Sequence, residues 1–185
     1  VKIDVETEGS LKIKKVDKES GAIVPGTVFH LDFGKTLPAK DVTTDKEGIA
    51  TLDGIPHGTK VTITEKSVPA PYTIDTIAMT ATIKAGETIF MTSKNTREKG
   101  QIILDKTGIE TGSDLWNDNY SLAGNTFAIR KDSPTGEIVQ EMTTDEKGHA
   151  ETPKEIANAL ELGTYYVTET KASNGFVNTF KAVKV

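Results

Sequence analysis

Apolar and polar residues alternate with a period of two in several short stretches of this chain, and in two of them the apolar series ends in a lysine. Leu11, Ile13 and Lys15 share one face of a strand, and so do Ile102, Leu104 and Lys106. Two further stretches end their inward series in an acid: Val61, Ile63 and Glu65, then Tyr165, Val167 and Glu169. Another, Ile89, Met91, Ser93 and Asn95, ends in an amide. Lys12 and Lys14 take outward parity and read as surface charges. Burying an ionised side chain is costly unless it is paired or neutralised, so meeting both costs twice predicts a shared purpose.

The recurrence extends beyond these strands. The offset between matching segments grows from 91 (Lys15 to Lys106) through 98 (Gly26 to Gly124) and 100 (Thr43 to Thr143) to 104 (Glu65 to Glu169), always in the same order. Constant order with growing offset predicts one architecture repeated with longer loops in the second copy. Each copy reads as a lysine strand, a loop, a second strand (Val28 to Phe33; Thr126 to Arg130), a hairpin turn and later the glutamate strand. The turns are Thr43-Thr44-Asp45-Lys46-Glu47-Gly48 and Thr143-Thr144-Asp145-Glu146-Lys147-Gly148, where Asp caps and Gly supplies positive φ.

The domain prediction is a first β-sandwich over 9–97 and a second over 98–185, with 1–8 the tail of a preceding segment or an edge strand. Thr152-Pro153-Lys154-Glu155 has capping-box spacing with proline at the first helical position, which predicts one short helix from Thr152 to Leu160. Gly112 to Tyr120, containing the single tryptophan Trp116, reads as an irregular loop.

Composition narrows the function classes. A formal charge of −5, with 22 basic residues interspersed among 27 acids, argues against nucleic-acid binding, which needs clustered Lys and Arg. Nothing is long and apolar enough to span a membrane, so this fragment is read without membrane insertion. The absence of cysteine excludes disulfides and thiolate sites. The chain opens at Val1, which predicts a piece of something longer.

If Lys15, Glu65 and Asn95 meet inside one sandwich, burial favours a neutral amine and a protonated acid. The amine can then attack the Asn95 carboxamide while Glu65 shuttles protons, releasing ammonia and leaving an isopeptide bond. The fold supplies near-attack placement, and the reaction runs once per molecule.

These residues sit in motifs that resemble the Cna protein B-type (CnaB) domains of Gram-positive surface adhesins and pilins, in two tandem copies. The first copy shows Lys15-Val16-Asp17, Pro25-Gly26-Thr27-Val28-Phe29 and Glu65 with an aromatic, Tyr72, seven positions on. The second shows Lys106-Thr107-Gly108, Leu122-Ala123-Gly124-Asn125-Thr126-Phe127 and Glu169 with Phe176 seven positions on. The resemblance implies an all-β pair of immunoglobulin-like sandwiches, each tied by Lys and Asn with Glu as catalyst. It implies Lys15, Asn95 and catalytic Glu65 in the first copy. In the second it implies Lys106 and Glu169 without the asparagine, since Asn174 and Asn178 follow the glutamate too soon; the closing strand is expected beyond Val185, leaving Lys106 unpaired and Glu169 idle.

The implied role is a structural stalk or backbone segment of a cell-wall-anchored, extracellular bacterial surface protein or pilin. It is not a turnover enzyme, needs no cofactor or metal, and has the neighbouring domains of the same protein as partners. The alternative is an adhesive module whose second-copy insertions, Trp116 and Tyr120, contact a host protein or glycan. Two plainer readings stand beside the crosslink: lysines that snorkel from edge strands, and Lys–Glu ion pairs without chemistry. His30, His57 and His149 share no ligand spacing and read as surface or turn residues.

Overall fold

The computed structural model describes residues 7–185, and the chain divides into two compact units, Val1–Glu98 and Lys99–Val185. Of the segment 1–8, residues 1–6 lie outside the described residues, and Glu8 is the first residue of a strand.

The first unit contains β1 (Glu8–Asp17), β2 (Val28–Asp32), β3 (Lys40–Thr43), β4 (Ile49–Pro56), β5 (Lys60–Ser67), β6 (Met79–Thr82) and β7 (Thr88–Asn95). They form two sheets, β4-β1-β7 and β3-β2-β5-β6. The predicted alternation holds along β1, where Leu11, Ile13 and Lys15 are buried while Lys12 and Lys14 are half-buried. The inward faces of both sheets supply one core, including Leu11, Ile13, Phe29, Leu31, Val61 and Ile63, each at most 1% exposed. β7 runs parallel to β1, with Lys15 opposite Ser93 and Asp17 opposite Asn95. Parallel neighbours require a long crossover, and here the crossover carries the whole second sheet.

The second unit contains β8 (Lys99–Gly100), β9 (Ile103–Asp105), β10 (Thr126–Lys131), β11 (Ile138–Thr143), β12 (His149–Glu151), β13 (Leu160–Glu161), β14 (Tyr165–Lys171) and β15 (Val183–Lys184). Its four-stranded sheet, β11-β10-β14-β15, repeats β3-β2-β5-β6 strand for strand. Phe127 faces Glu169 across β10 and β14 as Phe29 faces Glu65 across β2 and β5, each beside a bulge at the same place. The other layer is shorter: β9 pairs with β12 and β8 with β13, as β1 pairs with β4. Among the described residues no strand takes the place that β7 holds in the first unit. Consequently Ile102 and Leu104 are only partly buried where Leu11 and Ile13 are 1% exposed.

One predicted element is corrected. No helix is present among the described residues: after an irregular stretch from Thr152, residues 155–159 form a turn in which Glu155 O accepts from both Asn158 N and Ala159 N, 2.9 Å each, and Leu160 already belongs to β13. The capping hydroxyl is diverted: Thr152 Oγ1 accepts from Ile102 N at 2.9 Å, and Thr152 N donates to Ile102 O at 2.9 Å. A residue spent on extending the sheet cannot cap a helix. No helix of the described residues is long and apolar enough to cross a membrane.

Candidate functional site

The Asp45–Gly48 turn fixes the backbone around Lys15; it is not the predicted hairpin, because β3 pairs with β2 in one sheet and β4 with β1 in the other, so the turn crosses between layers, as Asp145–Gly148 does between β11 and β12. Asp45 Oδ1 accepts from Glu47 N at 3.0 Å and from Ile49 N at 2.9 Å, and Gly48 adopts φ 72°. Gly48 O then accepts from Lys15 N at 2.7 Å, while Lys15 O accepts from Val24 N at 3.0 Å. A Cβ on Gly48 would lie 3.0 Å from Lys15 O, so glycine is required both for the left-handed φ and for this approach. Asp145 and Gly148 repeat the arrangement, with Gly148 O accepting from Lys106 N at 2.8 Å.

With both backbone polar groups held, the Lys15 side chain has one direction left, inward. It is 0% exposed and its Nζ lies 5.8 Å from the centre of the Phe29 ring. Its amine contacts Glu65 Oε1 and Asn95 Oδ1 closely and donates to Ser93 Oγ at 2.7 Å. The Glu65 side chain is 3% exposed and Asn95 is 2% exposed. Glu65 touches both reactants: its Oε1 faces the amine, and its Oε2 accepts from Asn95 Nδ2 at 2.8 Å. Asn95 Nδ2 also donates to Thr73 O at 2.9 Å, and Asp75 N donates to Glu65 Oε2 at 2.8 Å. These bonds fix which way the carboxamide points: its oxygen toward the amine, its nitrogen toward the acid.

Burial lowers the pKa of Lys15 from its ordinary value, opposed by the hydrogen bond and charge of Glu65 and the charge of Asp75. Removing the ammonium from water favours the uncharged amine, which is the nucleophilic form. The three residues predicted from the sequence are therefore in contact within the first unit. Ser93, Thr73 and the Asp75 amide complete the cluster. Ser93 stood in the inward series of its strand without a role; the two backbone contributions lie in an irregular segment whose path alternation does not encode.

A second buried charge braces the end of this site. Asp17, 2% exposed, lies 2.8 Å from Arg97 Nε. Burial opposes its ionisation, yet backbone bonds from Ser20 and Glu19 and the hydroxyl of Tyr72 bring its pKa down to about 2. Asp17 faces Asn95 across β1 and β7, so this ion pair secures the strand end that carries the amide.

In the second unit Lys106 Nζ lies 3.2 Å from Glu169 Oε1 and 5.9 Å from the centre of the Phe180 ring. The Glu169 side chain is 0% exposed, and among the described residues neither of its oxygens has a hydrogen bond. Asn178 does not approach as a reactant: its Nδ2 donates to the backbone O of Glu169 at 2.9 Å. Trp116 is 61% exposed and meets Tyr120 edge to face at 5.6 Å, and Tyr120 meets Phe176 at 5.7 Å. These rings border a groove of about 730 Å³ that also reaches Lys106. The histidines sit in local pairs: His30 with Asp41 and His149 with Asp105, each at 2.7 Å, while His57 Nδ1 accepts from Ala85 N at 3.1 Å.

Two sandwiches of one topology, each with an inward lysine beside an inward glutamate, define a tandem pair of CnaB-type domains with the fold of pilin and surface-protein backbones. More particularly, the chain belongs to the SpaA prealbumin-like fold domain family, whose model matches residues 9–97 and again 100–185. No curated protein matches the sequence. Among solved structures it is similar to the Bacillus anthracis TIE protein, at 30% identity and a TM-score of 0.79, over 97% of this chain and 31% of that one. It is also similar to a streptococcal ancillary pilin (18% identity, TM-score 0.44, 97% of this chain and 58% of that one). BcpA, the major pilin subunit of Bacillus cereus, matches at 13% identity with a TM-score of 0.44, over 96% of this chain and 94% of that one. The chain thus spans about a third of the first of these proteins and somewhat over half of the second.

Proposed function

We propose that this chain is a structural stalk or backbone segment of an extracellular, cell-wall-anchored bacterial surface protein or pilin, whose first unit ties itself with a Lys15–Asn95 isopeptide bond. The observation that carries this reading is the bridging carboxylate: Glu65 contacts the buried amine with one oxygen and the carboxamide nitrogen with the other. Glu65 takes a proton from the Lys15 ammonium, and the neutral amine attacks Asn95 Cγ. The tetrahedral adduct gives one N–H proton to the acid while the acid returns one to Nδ2, which leaves as ammonia. Atoms balance as amine plus carboxamide giving secondary amide plus ammonia, with Glu65 serving as proton carrier.

A bond joining β1 to β7 lets force pass from one terminal strand to the other without loading the sheets between them, which suits a stalk. Among the described residues Lys106 and Glu169 of the second unit have no amide partner and no strand takes the place of β7, so one bond is expected in these residues. Intact mass spectrometry of the chain tests this. The expected mass is lower than the sequence mass by one ammonia, with the full mass restored in Lys15→Ala and in Glu65→Ala. A full-mass wild type overturns the reading.

An adhesive role for the second unit is the alternative, and the exposure of Trp116 beside Tyr120 favours it. Exposed aromatic surface is a common binding surface. Trp116→Ala that leaves attachment to a host protein or glycan unchanged counts against it.

A further inference from the structure

Three acceptors surround the Lys15 amine: Glu65 Oε1, Asn95 Oδ1 and Ser93 Oγ. A protonated amine has three N–H bonds and can satisfy all three at once. The neutral amine has two N–H bonds and one lone pair, so one of the three directions must receive the lone pair. Only a lone pair directed at Asn95 leads to reaction.

Ser93 is built to decide that direction. It is 6% exposed, and its side chain comes from β7, the same strand as Asn95 and two residues before it, so both point inward. Its own hydroxyl hydrogen is engaged, donated to Glu65 Oε1 at 3.1 Å, which leaves its oxygen lone pairs for the amine. Ser93 and Glu65 also share the wall of a cavity of about 280 Å³ that neither Lys15 nor Asn95 lines.

Resting on the isopeptide reading above, we propose that Ser93 is a further catalytic residue of the first unit, holding one N–H of the neutral Lys15 amine so that its lone pair faces Asn95 Cγ. Giving the first proton to Glu65 leaves the lone pair facing that acid, and a turn of the amine about its Cε–Nζ bond then places one N–H on Glu65 and the other on Ser93. The third direction, toward the carboxamide, carries the electron pair that forms the N–C bond of the tetrahedral adduct, from which the bond from Cγ to Nδ2 breaks once Nδ2 has been protonated. Ser93 gains and loses no proton. Without its oxygen, Glu65 and Asn95 Oδ1 become the two N–H acceptors, and the lone pair turns toward the empty side, away from Cγ.

The test is the half-time of ammonia loss after cell-free synthesis of the full chain, followed by intact mass for wild type, Ser93→Ala and Ser93→Thr, with circular dichroism as the fold control. Ser93→Ala is expected to lengthen the half-time at least tenfold, and Ser93→Thr, which keeps a hydroxyl, to restore it to within about threefold of wild type. A wild-type half-time in Ser93→Ala overturns the assignment and leaves the bond itself standing. Equal slowing in Ala and Thr variants that are both folded also overturns it, because packing rather than the hydroxyl is then what matters. A wild type that loses no ammonia removes the isopeptide reading and this role together.

Discussion

At the scale of single residues, the site is an exercise in burying charge without stranding it. Lys15, Glu65 and Asn95 were legible from parity alone, because a period of two assigns each side chain to a face and a polar group on the apolar face stands out. Asp17 was not read as a site residue, since its ion pair is with Arg97, at the far end of the unit's sequence, and single-strand patterning carries no pairing information. Its titration makes a prediction. Because its folded pKa of about 2 lies below the ordinary 3.8, Asp17 contributes stability that is complete above about pH 4 and is lost as pH falls toward 2. Asp17→Asn is expected to lower the first unit's stability by about 1–2 kcal/mol at neutral pH and to remove that acid-side slope. Urea unfolding monitored by circular dichroism from pH 7 to pH 2 measures both, and an unchanged slope contradicts the assignment.

At the scale of elements, the turn matters more than the strand it precedes. The paired Asp and Gly of Asp45–Gly48 and Asp145–Gly148 announced turns in the sequence, but these turns pass the chain from one sheet to the other rather than closing hairpins, and their glycine carbonyls hold the lysine backbones. Gly48→Ala places a Cβ 3.0 Å from both Ile23 Cβ and Lys15 O at a left-handed φ. We expect it to destabilise the first unit by more than about 1 kcal/mol and to slow ammonia loss, through displaced Lys15, whereas Gly58→Ala, whose Cβ meets nothing within 4 Å, carries only the φ strain. Comparing the two variants by thermal melting and mass separates strain from displacement. The failed helix at Thr152–Leu160 marks the limit of local reading. Its cap, proline and acid were all present, and a long-range partner, Ile102, took the hydroxyl.

At the scale of the whole molecule, the two units share a sheet and differ in how far the opposite layer is completed. The repeat itself was visible as ordered offsets, but the division of one long strand into β8 and β9, and the open side of β9, follow from pairings that no periodicity encodes. A tie between Lys15 and Asn95 closes a loop of 80 residues. By the chain-entropy relation for crosslinks of that span, its removal in Lys15→Ala costs about 4.5 kcal/mol beyond the lost contacts. The thermal unfolding of the chain should therefore show one transition that moves strongly in Lys15→Ala and one, belonging to the second unit, that does not. Under tension the tied residues cannot extend, withholding about 270 Å of contour length at 3.3–3.6 Å per residue. Single-molecule pulling that recovers this length from wild-type protein contradicts the tie.

The most direct measurement is tandem mass spectrometry of a tryptic digest of the wild-type chain. The prediction is a branched peptide in which Lys15 Nζ is joined to Asn95 Cγ, one ammonia lighter than its two linear parts, and absent from Glu65→Ala. Linear peptides carrying a free Lys15 and an intact Asn95 carboxamide, with no branched species, would contradict the account at its centre.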